Sequence, residues 1–212
     1  VEFAGGPMCW STRTFSALAG CGAYCNGQKI HVSETNKVEQ SLLVTGFGYE
    51  HDDAWSTNIE LFKHYTDISR GVRRLGAASV DMCHVALGIV EAYWEYRLKP
   101  WDMAAGVLVK AIILIIALKK YGHQEFQFKN RKSIAKCDVH TTIHVQIVEE
   151  AGGAVSQMDG GGFCVFDRSV LVSNGVVHPK LLERIGSATE ELKAKGIDFS
   201  LWFKPDNYTT DF

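Results

Sequence analysis

The chain has 212 residues, of which 46% are hydrophobic and 22% are charged, and its formal net charge is −2. This balance is typical of a globular domain, and it excludes the basic surface that nucleic acids or anionic membranes attract. The six cysteines are too few for a disulfide scaffold and lack zinc-finger spacing, so we expect a reducing compartment.

The chain begins at Val1 without a Met, and its opening residues VEFAGGPM resemble the interior of a strand. They contain no signal or transit peptide, so we expect the chain to begin partway through a fold. Met8–Ala19 then favours a strand followed by a hairpin, since threonines and glycines favour extended structure there. Asn26-Gly27 is a strong hairpin signal. Short strands are predicted at Lys29–Val32 and Ser41–Gly46.

Two helices and a strand are predicted in the middle of the chain. Asp53–Thr66 carries apolar residues at helical spacing, with Asp52 or Asp53 as its cap. Ala77–Leu87 is a second helix that ends at Gly88. Its expected apolar face consists of Val80, Cys83, His84 and Leu87.

The residues from Ile89 to Tyr96 alternate as a strand. One side of this strand carries Val90, Ala92, Trp94 and Tyr96, and the other carries Glu91, Tyr93 and Glu95. Pro100 stops it, and Trp101-Asp102 begins a further helix.

Two strands and a helix are predicted in the last third of the chain. Ala151–Val155 is a helix stop followed by a strand, and Asp159–Gly162 is a turn. Val170–Ser173 is a buried strand, and Pro179–Lys195 is an amphipathic helix. The aromatic and polar tail Ile197–Phe212 is expected to dock as irregular structure.

Three motifs together resemble the inositol monophosphatase family. WDMAAG (Trp101–Gly106) and IVEEAGG (Ile147–Gly153) are similar to the two ends of a family signature. RRLGAASVDM (Arg73–Met82) resembles the helix that precedes it, and GAYCNGQKIHVS (Gly22–Ser33) resembles a family hairpin. Within the family, the chain is similar to the plastid inositol monophosphatase-like proteins of plants.

This resemblance implies the α/β layered αβαβα sandwich of the inositol monophosphatase and fructose bisphosphatase superfamily, of which the chain supplies the C-terminal portion. It implies Mg²⁺-dependent hydrolysis of inositol monophosphate, a homodimer in the intact family member, and a chloroplast location or otherwise a cytoplasmic one. Neither nucleic acid nor a membrane is expected as a partner.

The resemblance also assigns site residues. Asp102 matches a family metal ligand, although Asp is also common in the first turn of a helix. Glu95 matches the residue that accepts a substrate hydroxyl, with a solvated strand residue as the alternative. Gly76 and Ala78 match the turn whose backbone N–H groups meet the inositol, with small-residue packing as the alternative. Arg73 and Arg74 could meet phosphate, but surface salt bridges are the simpler expectation.

The water-activating half of the family site is missing from the sequence. The family's D-P-x-D-G-T motif is absent, so no catalytic residue is assigned and the chain alone is expected to be inactive. Two alternatives stay open. A sister phosphatase would act on histidinol phosphate or on a sugar or nucleotide bisphosphate. A non-catalytic product would pair with full-length subunits.

A segment of 38 residues, 109–146, separates the two ends of the signature, dividing a partial phosphatase domain into 1–108 and 147–212. It carries seven basic and two acidic residues, unlike its acidic surroundings, and its first and last codons could read GT and AG. We therefore predict a retained intron, or a gene-model error, that interrupts a helix.

Two functional alternatives exist for this segment. Ala111–Leu118 is apolar enough for a membrane anchor but far shorter than the ~20 residues that a span requires. His123, His140 and His144 could bind a metal, but the β-branched residues between Thr141 and Val145 favour a strand, which holds the last two histidines too far apart.

Overall fold

A computed structural model of the chain describes residues 2–4, 10–18, 20–99, 102, 143–164 and 166–199. Most of segment 109–146, the family signature around Asp102 and the tail from residue 200 lie outside the described residues. The strands are β1 Glu2–Ala4, β2 Trp10–Thr12, β3 Phe15–Leu18, β4 Gly22–Cys25, β5 Gln28–Ile30, β6 Leu42–Thr45, β7 Gly71–Arg73, β8 Ala92–Tyr96, β9 Ala154–Ser156 and β10 Ser169–Ser173. The α-helices are α1 Asp53–Ile68, α2 Ala78–Ala86, α3 Ile143–Glu150 and α4 His178–Ala194.

A mixed five-stranded sheet in the order β7-β6-β8-β10-β9 is the centre of the fold. Strand β6 is parallel to both of its neighbours, whereas β10 is antiparallel to β8 and β9. Side chains of β8 alternate between the two sheet faces, as the sequence predicted: Trp94 packs with α1 and α4, and Tyr93 packs with α2 and α3. Both side chains are fully buried.

A second sheet, β3-β4-β5, covers the far side of α2 and α3. Its predicted turn is confirmed, since Asn26 and Gly27 have φ values of 51° and 77° and so fit a type I′ hairpin. Glu150, at the end of α3, accepts hydrogen bonds from the amides of Gly20 (2.7 Å) and Gly22 (2.8 Å). The resulting layers of helices, sheet, helices and sheet form part of the expected αβαβα sandwich.

The predicted helix over Asp53–Thr66 is confirmed and extends to Ile68. Its cap is Asp52, whose carboxylate accepts a hydrogen bond from the Trp55 amide at 3.1 Å. The final helix also forms as predicted, with Pro179 in its first turn. In the described part of the chain, no helix is both long and apolar enough to cross a membrane.

Three local predictions are wrong. Strand β8 begins at Ala92 rather than Ile89, because the Ile89 and Val90 amides still bond to the His84 carbonyl at the end of α2. The face predicted for α2 is also wrong. Its buried residues are Ala78, Asp81, Met82, Cys83, Val85 and Ala86, because this helix is covered on both sides.

The third error concerns the strand expected between Thr141 and Val145. The chain is helical from Ile143 onward. Ile147 and Val148 of this helix are buried against α2 and the hairpin, and such packing overrides the β-propensity of the preceding residues. Helix α3 therefore contains the last four residues of the predicted insert.

Candidate active site

A cavity of about 150 Å³ opens where the parallel strands β6 and β8 end. Such an edge is the usual place for a ligand in α/β sheets. Its wall consists of residues 46–50 after β6, residues 76–78 at the start of α2, residues 95 and 97–99 at the end of β8, and Arg74 and Asp102. All four residues assigned from the sequence, Gly76, Ala78, Glu95 and Asp102, line this one cavity.

Glu95 is a half-buried residue near the end of β8, on the sheet face that α2 covers. The Tyr93 hydroxyl donates a hydrogen bond to Glu95 Oε2 at 2.5 Å. The pKa of Glu95 is raised to about 7 in total. Burial is the largest cause, the hydrogen bond from Tyr93 and the charge of Arg74 oppose it, and the carboxyls of Asp81 and Asp102 add to it. The alternative of a solvated strand residue is therefore wrong for Glu95.

Glu91, four residues before Glu95, is a carboxylate whose contacts are purely structural. It is buried, and it accepts hydrogen bonds from the Leu42 amide at 2.6 Å and from the Thr35 hydroxyl at 3.1 Å. These contacts tie the chain before β6 to the start of β8. The sequence could not separate the two glutamates, because both face the same side of a predicted strand.

Asp102 is placed on the cavity wall by a tight turn. Its amide donates to the Lys99 carbonyl at 3.0 Å, and its Oδ2 accepts from the Lys99 amide at 3.0 Å. Carboxylate oxygens suit Mg²⁺, and Asp102 places one carboxylate on the cavity wall. Residues 2–199, apart from the gaps given above, contain no group of three or more His, Cys, Asp or Glu side chains placed to hold a metal ion. The described residues therefore fit only part of a magnesium site.

The start of α2 faces the same cavity. Gly76 has a φ of +87°, a conformation that strongly favours glycine. Ala77 follows as the N-cap residue in extended geometry and has no polar side chain to cap the helix. The first N–H groups of a helix lack intrahelical partners and carry its positive dipole end, so this terminus offers donors to an anionic or hydroxyl-bearing ligand.

Arg97 is a wall residue that the sequence did not reveal. It adopts a left-handed conformation with a φ of 66°. Its guanidinium contacts Asp52 at 2.5 Å, Glu50 at 4.0 Å and the ring of Phe199, whose centroid is 5.7 Å away. The loop after β6 and the residues after α4 are thus held together at the cavity. Nothing in the local sequence marks these long-range contacts.

The two arginines before α2 separate in the structure. Arg74 lines the cavity, and its charge lowers the pKa of Glu95. Arg73 instead donates to the Val72 carbonyl at 3.1 Å. Only Arg74 is therefore placed to meet a ligand.

Asp81 is a second functional candidate that the sequence missed. Its side chain is buried at 1% exposure, and burial raises its pKa to about 7. Within the described residues, its Oδ1 has no hydrogen-bond partner. Its charge reaches both Glu95 and Tyr93. The sequence signal was an acidic residue between Val80 and Met82 in an apolar helix.

His84 and the Gly160–Gly162 turn do not line this cavity. His84 is half-buried, and burial together with Arg13 lowers its pKa, which fits a packing role. Gly160–Gly162 lies in a turn, where the Asp159 carboxylate accepts the Gly161 amide at 2.7 Å. This turn does not open a helix, so it lacks the context of a phosphate loop.

Sequence comparison identifies the family of the chain. A profile of the inositol monophosphatase family matches residues 6–111, so the chain belongs to that family. The chain is 67% identical over 211 residues to the chloroplastic phosphatase IMPL1 of Arabidopsis thaliana, covering 100% of this chain and 47% of that protein. It is 31% identical over 176 residues to an inositol-1-monophosphatase of Synechocystis, covering 83% of this chain and 48% of the relative.

Solved structures show the same fold. The inositol monophosphatase of Anabaena superposes with a TM-score of 0.60 at 30% identity, over 84% of this chain and 54% of that one. The Thermotoga maritima enzyme superposes with a TM-score of 0.59 at 23% identity, over 85% and 54% of the two chains. The α/β layered fold predicted from the sequence is thereby confirmed. The chain spans about half the length of the relatives that it matches.

Proposed function

We propose that this chain provides the substrate-binding wall of a Mg²⁺-dependent phosphatase that hydrolyses inositol monophosphate. The observation that carries the proposal is the single cavity in which Glu95, Asp102 and the start of α2 converge. Membership of the inositol monophosphatase family supports the reaction class.

Each wall residue has a distinct task in this proposal. Glu95 accepts a hydrogen bond from a hydroxyl of the polyol ring, and the amides at Gly76 and Ala78 donate to the ring from the opposite wall. Asp102 supplies one carboxylate to Mg²⁺. When bound, Mg²⁺ neutralises phosphoryl charge and activates water. The remaining ligands would have to come from residues other than those described.

We also propose that the 212-residue chain by itself binds ligand but does not turn it over. A phosphatase depends on positioning and metal charge for nearly all of its rate, and no D-P-x-D-G-T motif occurs in the sequence. The intact family member would be a plastid homodimer, which the chloroplastic relative supports for location.

The test measures binding and turnover on the same protein. The purified chain is titrated with myo-inositol 1-phosphate, with and without Mg²⁺, by calorimetry, and phosphate release is followed in parallel with histidinol phosphate and fructose 1,6-bisphosphate as competing substrates. Asp102→Asn should abolish the Mg²⁺-dependent part of binding, and Glu95→Gln should weaken binding about tenfold. The exposed Asp67→Asn serves as a matched control.

Failure of both variants to change affinity would refute the proposed site. Tighter binding of either competing ester would replace inositol phosphate as the substrate. Co-purification with a full-length family subunit, without ligand binding, would favour the non-catalytic alternative.

We propose in addition that residues 109–146 are foreign to the domain. The family match ends at residue 111, three residues after the proposed junction. Removal of this segment would join Trp101–Leu108 directly to Ile147–Glu150 as one amphipathic helix ending at Gly152. Sequencing the transcript decides the point. A message that joins codon 108 to codon 147 supports the proposal, and a genomic sequence without GT and AG at the two junctions refutes it.

A further inference from the structure

The Glu95 carboxylate lies between two groups to which the proposed reaction assigns no role. One is the hydroxyl of Tyr93, and the other is the backbone of Gly46. Both lie against the carboxylate.

Tyr93 is a rigid donor. Its side chain is fully buried and packs in the core with Val44, Met82 and Val172. Only its hydroxyl reaches Glu95, donating to Oε2 at 2.5 Å. Burial and the neighbouring Glu95 carboxylate raise the pKa of Tyr93 well above its ordinary value. The phenol therefore keeps its proton, and remains a donor, across the working pH range.

Gly46 sets the other boundary. A Cβ atom at this position would overlap the Glu95 carboxylate, and even the farther oxygen, Oε1, would be only 2.6 Å away. Gly46 does not have a left-handed φ, so a side chain at this position would be opposed by its close approach to Glu95 rather than by backbone strain.

The backbone at Gly46 is itself held in place by a buried polar network. Asn58 Nδ2 donates to the Gly46 carbonyl at 2.6 Å, and Trp94 Nε1 donates to Asn58 Oδ1 at 2.7 Å. The Thr45 hydroxyl donates to the Trp94 carbonyl at 2.8 Å. Because these groups are buried, the position of Gly46 relative to β8 is fixed.

We infer that Tyr93 and Gly46 are positioning residues that fix the Glu95 carboxylate, with Oε2 bonded to Tyr93 and Oε1 available to accept a substrate hydroxyl. This inference rests on the proposed function, in which Glu95 binds the polyol. Tyr93 takes one acceptor position of Oε2, and Gly46 leaves room for the carboxylate beside it. The two residues thereby set how Glu95 meets a substrate hydroxyl.

The experiment uses the full 212-residue chain and two readouts. The first is the titration of the Glu95 carboxyl carbon by NMR with ¹³C-labelled glutamate, assigned by the signal lost in Glu95→Gln. The second is the affinity for myo-inositol 1-phosphate in the presence of Mg²⁺. The test variants are Tyr93→Phe and Gly46→Ala.

Two matched controls accompany them. Tyr65→Phe removes another buried phenol, which donates to the Leu181 carbonyl on the opposite face of the sheet. Gly162→Ala adds a methyl group where nothing lies within 4 Å. Thermal unfolding of every variant checks that the fold is retained.

We expect Tyr93→Phe to make Glu95 about a tenfold weaker acid, because a charge-assisted hydrogen bond to the carboxylate is lost. Gly46→Ala should also shift the Glu95 titration, because the flexible carboxylate must move aside. Both variants should lose about as much affinity as Glu95→Gln, about tenfold, whereas the controls should match the wild type.

The outcomes separate the two claims. If Glu95 titrates identically in the wild type, Tyr93→Phe and Gly46→Ala, the positioning inference is overturned. If the titration shifts but affinity is unchanged while Glu95→Gln weakens it, the role of Tyr93 and Gly46 in binding is overturned. If Glu95→Gln binds like the wild type, or the wild type does not bind, the proposed function fails, and the NMR titration still decides whether Tyr93 and Gly46 hold Glu95.

Discussion

The buried carboxyl of Asp81 should make the chain less stable as the pH rises. Burial raises the pKa of Asp81 from 3.8 to about 7. Since the folded-state pKa lies above the unfolded one, the stability that Asp81 contributes is fully present below about pH 4 and is lost as the pH rises toward 7. A difference from 3.8 to about 7 corresponds to about 4 kcal/mol in the free energy of unfolding.

The Asp81→Asn variant removes this cost while keeping the side-chain shape. We expect the variant to be as stable as the wild type near pH 4 and more stable above pH 7, by an amount approaching 4 kcal/mol. The measurement is urea unfolding followed by tryptophan fluorescence, at intervals between pH 4 and pH 8, without divalent cations. Asp67→Asn, on the exposed surface of α1, should give a nearly constant difference.

A pH-independent difference between Asp81→Asn and the wild type would refute the reasoning. So would a loss of stability in the variant at pH 8, which would mean that the carboxylate has a partner that stabilises its charged form. A second consequence is independent of unfolding. Because Asp81 raises the pKa of Glu95, the variant should lower the pH at which Glu95 titrates.

Three further changes test other parts of the structure. Asn58→Ala should lower the free energy of unfolding by about 3 kcal/mol in urea titrations, since the buried Trp94 indole and a backbone carbonyl lose partners, and a loss below 1 kcal/mol would contradict this. Glu150→Gln should cost about 2 kcal/mol and speed hydrogen exchange in the hairpin, because a charged acceptor of two amides is replaced by a neutral one. Burial lowers the pKa of His178, so its stabilising contribution is present above pH 6.5 and is lost as the pH falls through the folded-state pKa. Comparison with His178→Gln should reveal that slope, and parallel pH curves for the two proteins would exclude it.

Local signals in the sequence were sufficient for several elements. Asn26-Gly27 predicted its hairpin because a type I′ turn needs two residues that tolerate positive φ. Asp52 predicted the start of α1 because its carboxylate can accept an amide three residues ahead. The alternation of β8 predicted which of its side chains share a face.

Non-local packing explains the errors. Helix α2 lies between the sheet and the hairpin, so its burial does not follow a single amphipathic stripe, and Asp81 is buried although it lies outside the predicted apolar face. The helical state of residues 143–145 likewise depends on how α3 packs against α2. Neither arrangement can be read from a window of neighbouring residues.

In the candidate site, too, some residues were predicted from the sequence, whereas others depend on contacts between distant parts of the chain. Glu95 and Asp102 were assigned through the family resemblance of the motifs around them, and the structure places both on one cavity. Gly46, however, lies 49 residues before Glu95, and it comes close to the Glu95 carboxylate because β6 pairs with β8. Arg97 was missed for the same reason, since its partners come from the loop after β6 and from the residues after α4.

A buried carboxyl, Asp81, and a half-buried one, Glu95, on one side of the sheet are costly for the stability of the fold. Asp81 and Glu95 each have a pKa of about 7, so near neutral pH each is held in surroundings that disfavour its charge. Apolar side chains of similar size would stabilise the same core. Such groups are most often retained where a ligand uses them, and Glu95 opens onto the cavity that Asp102 and the start of α2 also line. The Glu95 carboxyl therefore lowers the stability of the fold at the cavity in which a ligand would use that carboxyl.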